Sequence, residues 1–318
     1  MRGETDELVP STEGLDPQVD RTHGTQGASG THRAHDGSRA GSRRRAAAPV
    51  VMGVVNVTPD SFSDGGRYAD TDAAVAHGRS LVADGADVLD IGGESTRPGA
   101  TRPLVREELD RVVPVITALA ADGAVVSVDT MRAEVAVEAL AAGATIVNDV
   151  SGGLADPEIL AVTAAAGATY IAMHWRAHAD RMTQMTTYDG PGGVVGGVRR
   201  ELAARVEDLL AAGIAEHRIV LDPGLGFAKR PEHNWELLEA LAPGGDLSAM
   251  GFPFLVGASR KSFLGVLLAG EDGAPREVAG REVAGHVLTL LLAQRGVWGV
   301  RVHDVRGARD VLSVWEQT

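Results

Sequence analysis

Cysteine is absent from the 318 residues, and aromatic residues make up only 4%. The first absence excludes a disulfide scaffold, a thiolate zinc site and a cysteine nucleophile. The second means that a core must be built from Ala, Val, Leu and Ile, which suit parallel strands packed under helices. Cations are in deficit as well: 30 Lys and Arg face 43 Asp and Glu, leaving a formal net charge of −13. A surface of that sign argues against broad nucleic-acid or anionic-membrane binding, although two or three clustered cations can still hold a phosphate. No apolar run approaches the roughly 18 residues of a membrane span. The opening residues also lack the apolar stretch of a secretory signal. A cytoplasmic protein is expected.

What is present is 44% hydrophobic and 23% charged, enough for a sizeable core. Residues 1–48 stand apart. They are rich in Gly, Ser, Thr, His, Asp and Arg and nearly free of large apolar side chains, so burial cannot offset the entropy of ordering them. They read as a disordered N-terminal extension, with Arg43, Arg44 and Arg45 as solvated charges. From residue 49 onward one unit recurs: a short β-branched run, a polar or Gly-rich loop, then an amphipathic helix. Strand candidates are Val50–Val55, Val88–Ile91, Val125–Val128, Thr145–Val147, Thr169–Met173, Ile219–Leu221, Phe254–Val256 and Gly299–Val302. Helix candidates between and after them are Asp72–Asp84, Val105–Ala121, Ala133–Ala142, Pro157–Ala166, Val198–Ala212, Asn234–Leu241, Arg281–Arg295 and Val305–Gln317. Eight such units predict a single α/β domain over 49–318, a (β/α)8 TIM barrel. A doubly wound open sheet is the runner-up, but it would carry a Gly-rich dinucleotide fingerprint after its first strand, where this chain has Asn56-Val57-Thr58-Pro59-Asp60.

Barrel active sites form at the C-terminal ends of the strands. The residues there are Asn56, Asp90, Asp129, Asn148-Asp149, His174, Asp222, Ser259 with Lys261, and Arg301 with His303. Any single Asp, Asn or Ser among them could be a helix cap, whereas Lys261, Arg301 and His303 are not capping residues. Arg301, His303 and Asn56 come from the eighth and first strands, neighbours in a closed barrel. Two groups able to carry positive charge and an amide there suit a phosphate or pyrophosphate. Asp129, Asn148, Asp222 and Lys261 offer carboxylates, an amide and a cation to a heterocycle with adjacent N–H donors and a carbonyl acceptor. A 2-amino-4-oxo pterin ring has that pattern.

These residues lie in longer segments. Gly53-Val54-Val55-Asn56-Val57-Thr58-Pro59-Asp60-Ser61-Phe62-Ser63-Asp64-Gly65-Gly66 and Asp90-Ile91-Gly92-Gly93-Glu94-Ser95-Thr96-Arg97-Pro98-Gly99 resemble the two opening signatures of the dihydropteroate synthases. Further similar segments begin at Ser127, Asn148, Met173, Asp222, Gly257 and Arg301, in order, so the resemblance spans about residues 50 to 318. It implies a barrel joining 6-hydroxymethyl-7,8-dihydropterin pyrophosphate to p-aminobenzoate, with 7,8-dihydropteroate and pyrophosphate as products and sulfonamides as competitors of p-aminobenzoate. By the family pattern Asp129, Asn148, Asp222, Lys261, Met173 and Val150 hold the pterin. Asn56, Arg301 and His303 hold the pyrophosphate, with Mg2+ near Asn56. Thr96, Arg97, Pro98, Phe227 and Ser262 shape the p-aminobenzoate pocket. Asp129, Lys261 and Asp64 are the implied catalytic residues. Two loops, about Thr58–Tyr68 and Gly93–Pro103, would close over the site, and a homodimer through the later helices is implied.

Other features are expected to be bland. His77, His217, His233 and His286 read as surface groups, and His174 as a pocket-wall hydrogen bonder rather than a metal ligand. No H-E-x-x-H motif is present. The glycine-rich stretch 177–197 reads as a flexible loop entering a helix near Val198, without key residues. Two rival functions remain: a pterin-binding barrel that passes a folate methyl group to a corrinoid protein, which would not need Arg301 and His303, and a non-catalytic paralogue, which should have lost a signature loop or Lys261.

Overall fold

The alternation of β-branched runs and helices carries through the chain. The computed structural model describes residues 47–58, 66–95, 102–178 and 180–318. Its strands are β1 (Val50–Asn56), β2 (Val88–Gly92), β3 (Val126–Asp129), β4 (Ile146–Asp149), β5 (Thr169–Met173), β6 (Ile219–Asp222), β7 (Leu255–Val256) and β8 (Gly299–Val302). Between and after them lie α1 (Gly66–Ala83), α2 (Val105–Ala121), α3 (Ala133–Ala141), α4 (Glu158–Ala166), α5 (Gly193–Ala211), α6 (Pro231–Ala240), α7 (Ser262–Leu267), α8 (Glu282–Arg295) and α9 (Val305–Trp315). The strands run parallel in the order β6-β5-β4-β3-β2-β1-β8-β7. One parallel bridge between Leu221 and Phe254, with Leu221 N donating to Pro253 O at 2.9 Å, closes the ring between β6 and β7. The TIM barrel expected from the sequence is the fold. No helix among the described residues is long and apolar enough to cross a membrane.

Side chains alternate across each strand, and this period decides which residues meet a ligand. One parity faces inward. Met52, Val88, Ile146, Ile171, Val220 and Leu255 form an apolar plug inside the barrel, packed with Val50, Val125 and Trp298. Two positions further along the same faces come Asp90, Asn148, Met173 and Asp222. The other parity, including Val51, Leu89, Val128, Val147, Tyr170, Leu221 and Val300, is buried under the helices. The barrel is thus dry at the N-terminal ends of its strands and polar at the C-terminal ends.

Parity also separates the adjacent Asn148 and Asp149. Asp149 faces the helix layer, fully buried. It accepts hydrogen bonds from the Tyr170 hydroxyl at 2.6 Å, Ser151 N at 2.7 Å and Gly153 N at 2.8 Å. It is a structural carboxylate that shapes the β4–α4 turn. Replacing it with Ala strands all three donors, and the expected cost is about 3 kcal/mol, each buried unsatisfied donor costing ~1 kcal/mol or more. Urea unfolding should show it as a lower midpoint with unchanged slope.

The structure revises the helices. Helix α5 starts at Gly193 rather than near Val198, because Gly196 and Gly197 let it pass close to the loop: a Cβ on Gly197 would sit 2.7 Å from Tyr188 Cδ1. A short helix, α7, precedes α8 and was not expected. Helix α1 begins at Gly66, ahead of Asp72. His233, read as a surface group, is instead buried, its ring nitrogens within 3.2 Å of Arg230 N and 2.9 Å of Arg230 Nη2. The extension over 1–46 and the predicted site residues Asp64, Thr96, Arg97 and Pro98 lie outside the described residues.

Candidate active site

At the inward C-terminal mouth the acidic strand ends meet a guanidinium. Arg301 reaches in from β8, and its Nη1 donates to Asp90 Oδ2 at 3.2 Å and lies 3.7 Å from Asp129 Oδ2. Asp90 also accepts from Ser127 Oγ at 2.8 Å and from Asn148 Nδ2 at 2.9 Å. Gly257, at the end of β7, makes room for the guanidinium, since a Cβ there would lie 3.3 Å from Arg301 Nε. Four strands, β2, β3, β4 and β8, are therefore joined through one buried carboxylate.

The electrostatics are those of charges crowded away from water. Burial pushes the Asp129 carboxyl up to about 8, with repulsion from Asp90 adding to the shift and Arg301 opposing it. Asp222, from β6, is likewise raised by burial, although Arg301 and the Gly224 N–H pull the other way. Gly224 N donates to Asp222 Oδ1 at 2.7 Å. Burial would lower Arg301, but Asp90, Asp129 and Asp222 outweigh it and hold the guanidinium firmly protonated. Lys261, ahead of α7, is pushed down to about 8 by burial and by Arg301. Groups this strongly perturbed by burial and by one another are a common mark of a functional site.

Lys261 Nζ lies 4.1 Å from the centroid of the Phe227 ring, a cation–π contact that fixes where the ammonium rests. Phe227 belongs to an apolar cluster with Met131, Val150, Met173, Met182 and Ala228. Met173 and Val150, expected to hold the pterin, and Phe227, expected in the p-aminobenzoate pocket, lie in this one cluster, with Met131 and Met182 in it and Trp175 packed against it. His303 is beside Ser259, its Nδ1 3.1 Å from Ser259 Oγ, and Asn56 ends β1 exposed. Ser262 opens α7 and is exposed. At the root of the second signature loop, Glu94 pairs with Arg102 at 3.0 Å, and Arg132 bonds Glu108 at 2.8 Å and Pro103 O at 2.6 Å.

Three features go beyond the sequence reading. Asp90 had no assigned role, yet its shared parity with Val88 places it at the centre of the polar mouth. His174 does hydrogen-bond, but on the helix side of the barrel: its Nε2 is 2.9 Å from Glu201 Oε2 on α5 and its Nδ1 is 3.0 Å from Lys229 Nζ. Neither Glu201 nor Lys229 carries a motif signal. Among the described residues, Glu282, His286 and Asp304 bring possible metal-ligand atoms within 4.8 Å of one another. Glu282 is engaged with Arg260 at 2.6 Å, and His286, expected at the surface, pairs with Asp304 at 3.0 Å.

The fold and much of the sequence match known proteins. A family model described as pterin binding enzyme matches residues 52–303. The dihydropteroate synthase of Mycobacterium leprae is 55% identical over 270 residues, covering 84% of this chain and 93% of that protein. The solved dihydropteroate synthase of Xanthomonas albilineans with 4-aminobenzoic acid superposes with a TM-score of 0.76 at 44% identity, over 85% of this chain and 93% of that one. The same organism's enzyme in complex with 7,8-dihydropteroate gives a TM-score of 0.73 at 41% identity, again over 85% and 93% of the two chains.

Proposed function

This chain belongs to the pterin binding enzyme family and, within it, to the dihydropteroate synthases, and we propose that its barrel mouth joins 6-hydroxymethyl-7,8-dihydropterin pyrophosphate to p-aminobenzoate in folate biosynthesis. The observation that carries the residue roles is the buried assembly of Asp90, Asp129 and Arg301, with Asp222 and Lys261 close enough to perturb it.

Asp129, Asn148, Asp222 and Lys261 hold the edge of the pterin ring, and Met173 and Val150 pack on its face. Asn56, Arg301 and His303 take the pyrophosphate. Phe227 and Ser262, with Thr96, Arg97 and Pro98, form the p-aminobenzoate pocket, and Asp64 completes the catalytic set. The bond between the pterin's exocyclic methylene and the pyrophosphate oxygen breaks, and its electron pair leaves with pyrophosphate. The amine lone pair of p-aminobenzoate forms the new C–N bond, and the nitrogen then releases a proton to water. Positive charge building on the pterin is met by Asp129 and Asp222, and negative charge on the leaving group by Arg301 and His303. Charges preset in a dry site stabilise such a transition state most.

Mg2+ fits the mouth beside Asn56. A hard cation shared with phosphates needs few protein ligands, and an exposed amide oxygen at the pyrophosphate end can be one of them. When bound it would add positive charge where the leaving group develops its negative charge. The reading extends to a cytoplasmic homodimer inhibited by sulfonamides, which occupy the p-aminobenzoate position. Exposed Leu267, Val283 and Val287 on α7 and α8 favour pairing through the later helices.

Pyrophosphate release by the full chain, with Mg2+ and the pterin substrate, tests the reading. Release should require p-aminobenzoate and match dihydropteroate formed. Lys261→Ala should lower kcat/KM by about 100-fold or more, as for loss of one preset charge. Tight pterin binding without product would overturn the proposal.

A further inference from the structure

Among the described residues, two that are not glycine adopt left-handed backbone, Ala228 with φ 49° and Arg260 with φ 63°. Such residues are strained and persist only when their surroundings over-determine them. Their positions are specific: Ala228 directly follows Phe227, and Arg260 directly precedes Lys261, so the strain flanks both members of the cation–π pair. On the Phe227 side the strained turn is gripped at two consecutive carbonyls. Lys229 Nζ donates to Phe227 O at 2.9 Å, and the Tyr188 hydroxyl donates to Ala228 O at 3.1 Å.

We propose that Lys229 and Tyr188 are positioning residues that clamp the Phe227–Ala228 turn and so hold the Phe227 ring against Lys261 for binding of the amine substrate. This inference rests on the assignment of Phe227 to the p-aminobenzoate pocket.

Each jaw of the clamp is itself fixed. The Lys229 ammonium touches His174 Nδ1 at 3.0 Å, which requires that nitrogen to accept and the other, Nε2, to donate to Glu201 at 2.9 Å. Burial, with help from Lys229, pushes His174 down to about 4, so the ring is neutral and keeps that tautomer. Glu201 is pushed down to about 2: burial alone would raise it, but His174 and Arg176 outweigh that, so the anion at the end of the chain persists. Burial holds Lys229 near 7 against the attraction of Asp222, and either protonation state retains N–H bonds for the Phe227 carbonyl. The Tyr188 ring lies 3.8 Å beneath the Arg176 guanidinium and edge-on to His233 at 5.3 Å. Arg176 in turn donates to Glu201 Oε2 at 3.0 Å and to Thr187 O at 2.6 Å. Both jaws thus converge on Glu201 of α5. The glycine-rich β5–α5 segment, which looked like a bare connector, supplies one of them.

The test uses steady-state kinetics of the full chain with five proteins: wild type, Tyr188→Phe, Lys229→Met, the double variant of these two, and Phe227→Ala. Tyr188→Phe keeps the ring under Arg176 and deletes only the donor to Ala228. Lys229→Met keeps a long unbranched side chain while deleting the donor to Phe227 O and an ammonium whose charge burial disfavours. We expect KM for p-aminobenzoate to rise about five- to tenfold in each clamp variant, with KM for the pterin pyrophosphate within twofold. The double variant should show less than the product of the two effects, because both groups act on one turn. An unchanged amine KM in both clamp variants, while Phe227→Ala raises it, would overturn the clamp and leave the pocket assignment standing. A rise in both KM values together with a lower Tm in both clamp variants would also overturn it, showing a general structural role. If Phe227→Ala leaves the amine KM unchanged, the pocket assignment fails, and the clamp with it.

Discussion

Replacing Arg301 with Met is expected to lower kcat/KM by about 100- to 1000-fold, the range for losing one preset charge at a developing anion, and to destabilise the fold by about 3 kcal/mol, since removing one partner of a buried ion pair leaves the other uncompensated. Both effects follow from one geometry. The guanidinium, 11% exposed, is the cation that faces Asp90 at 3.2 Å and Asp129 at 3.7 Å. The stability deficit should depend on pH. Asp129, already pushed up to about 8 with Arg301 opposing the shift, rises further without it. Below about pH 7 Asp129 is protonated in both folded proteins and adds nothing to the difference, so the deficit is level from about pH 5 to 7 and grows as pH passes 8, where only the wild-type carboxyl ionises. Denaturant midpoints of the two proteins across that range would show this. A variant with near wild-type turnover would remove Arg301 from the leaving-group pocket, and a deficit that shrinks with rising pH would contradict the charge assignment.

Asp129→Asn is expected to separate function from stability. The amide keeps the side chain's shape and cannot ionise, so the repulsion from Asp90 disappears. Asp129's folded value of about 8 stands above the unfolded value of about 4. Its cost to the fold is therefore absent below pH 4 and grows until pH 8. The variant should match wild type near pH 4 and exceed it at pH 8 by roughly 1–3 kcal/mol, a rise in Tm of several degrees for a domain of this size. Turnover should nevertheless fall by about 100-fold or more, because the neutral amide cannot balance charge developing on the pterin. In the wild-type enzyme kcat/KM for the pterin should climb as Asp129 ionises towards pH 8, then decline as Lys261, also near 8, loses its proton. Asp129→Asn should lack the acid limb. A variant less stable than wild type at pH 8 would show that Asp129 is held by partners that favour its charge, contrary to the burial argument. Active sites that store unfavourable charge in this way trade stability for activity.

The sequence by itself determined the eight-fold order of strands and helices, because β-branched runs of strand length and amphipathic helices are local patterns. It also determined which residues end each strand. Which of them face inward depends on the closed ring, where Asn148 shares a face with Ile146 and Asp222 with Val220, whereas Asp149 and His174 fall on the opposite parity. The motifs at Asn56, Asp90, Asp129, Asp222, Lys261 and Arg301 carried the family. Local pattern could not say that Arg301 would bond Asp90, 211 residues away in sequence. It could not say that α5 would begin early enough to press Gly197 against Tyr188, or that His233 and His174 would be enclosed. Those outcomes depend on closing the ring, which brings β8 beside β1 and packs α5 against β5, β6 and α6. Only the tertiary structure decided the charges as well. Ionisation depends on the water excluded and on the charges within a few ångströms, and both are set once distant strands meet around one mouth.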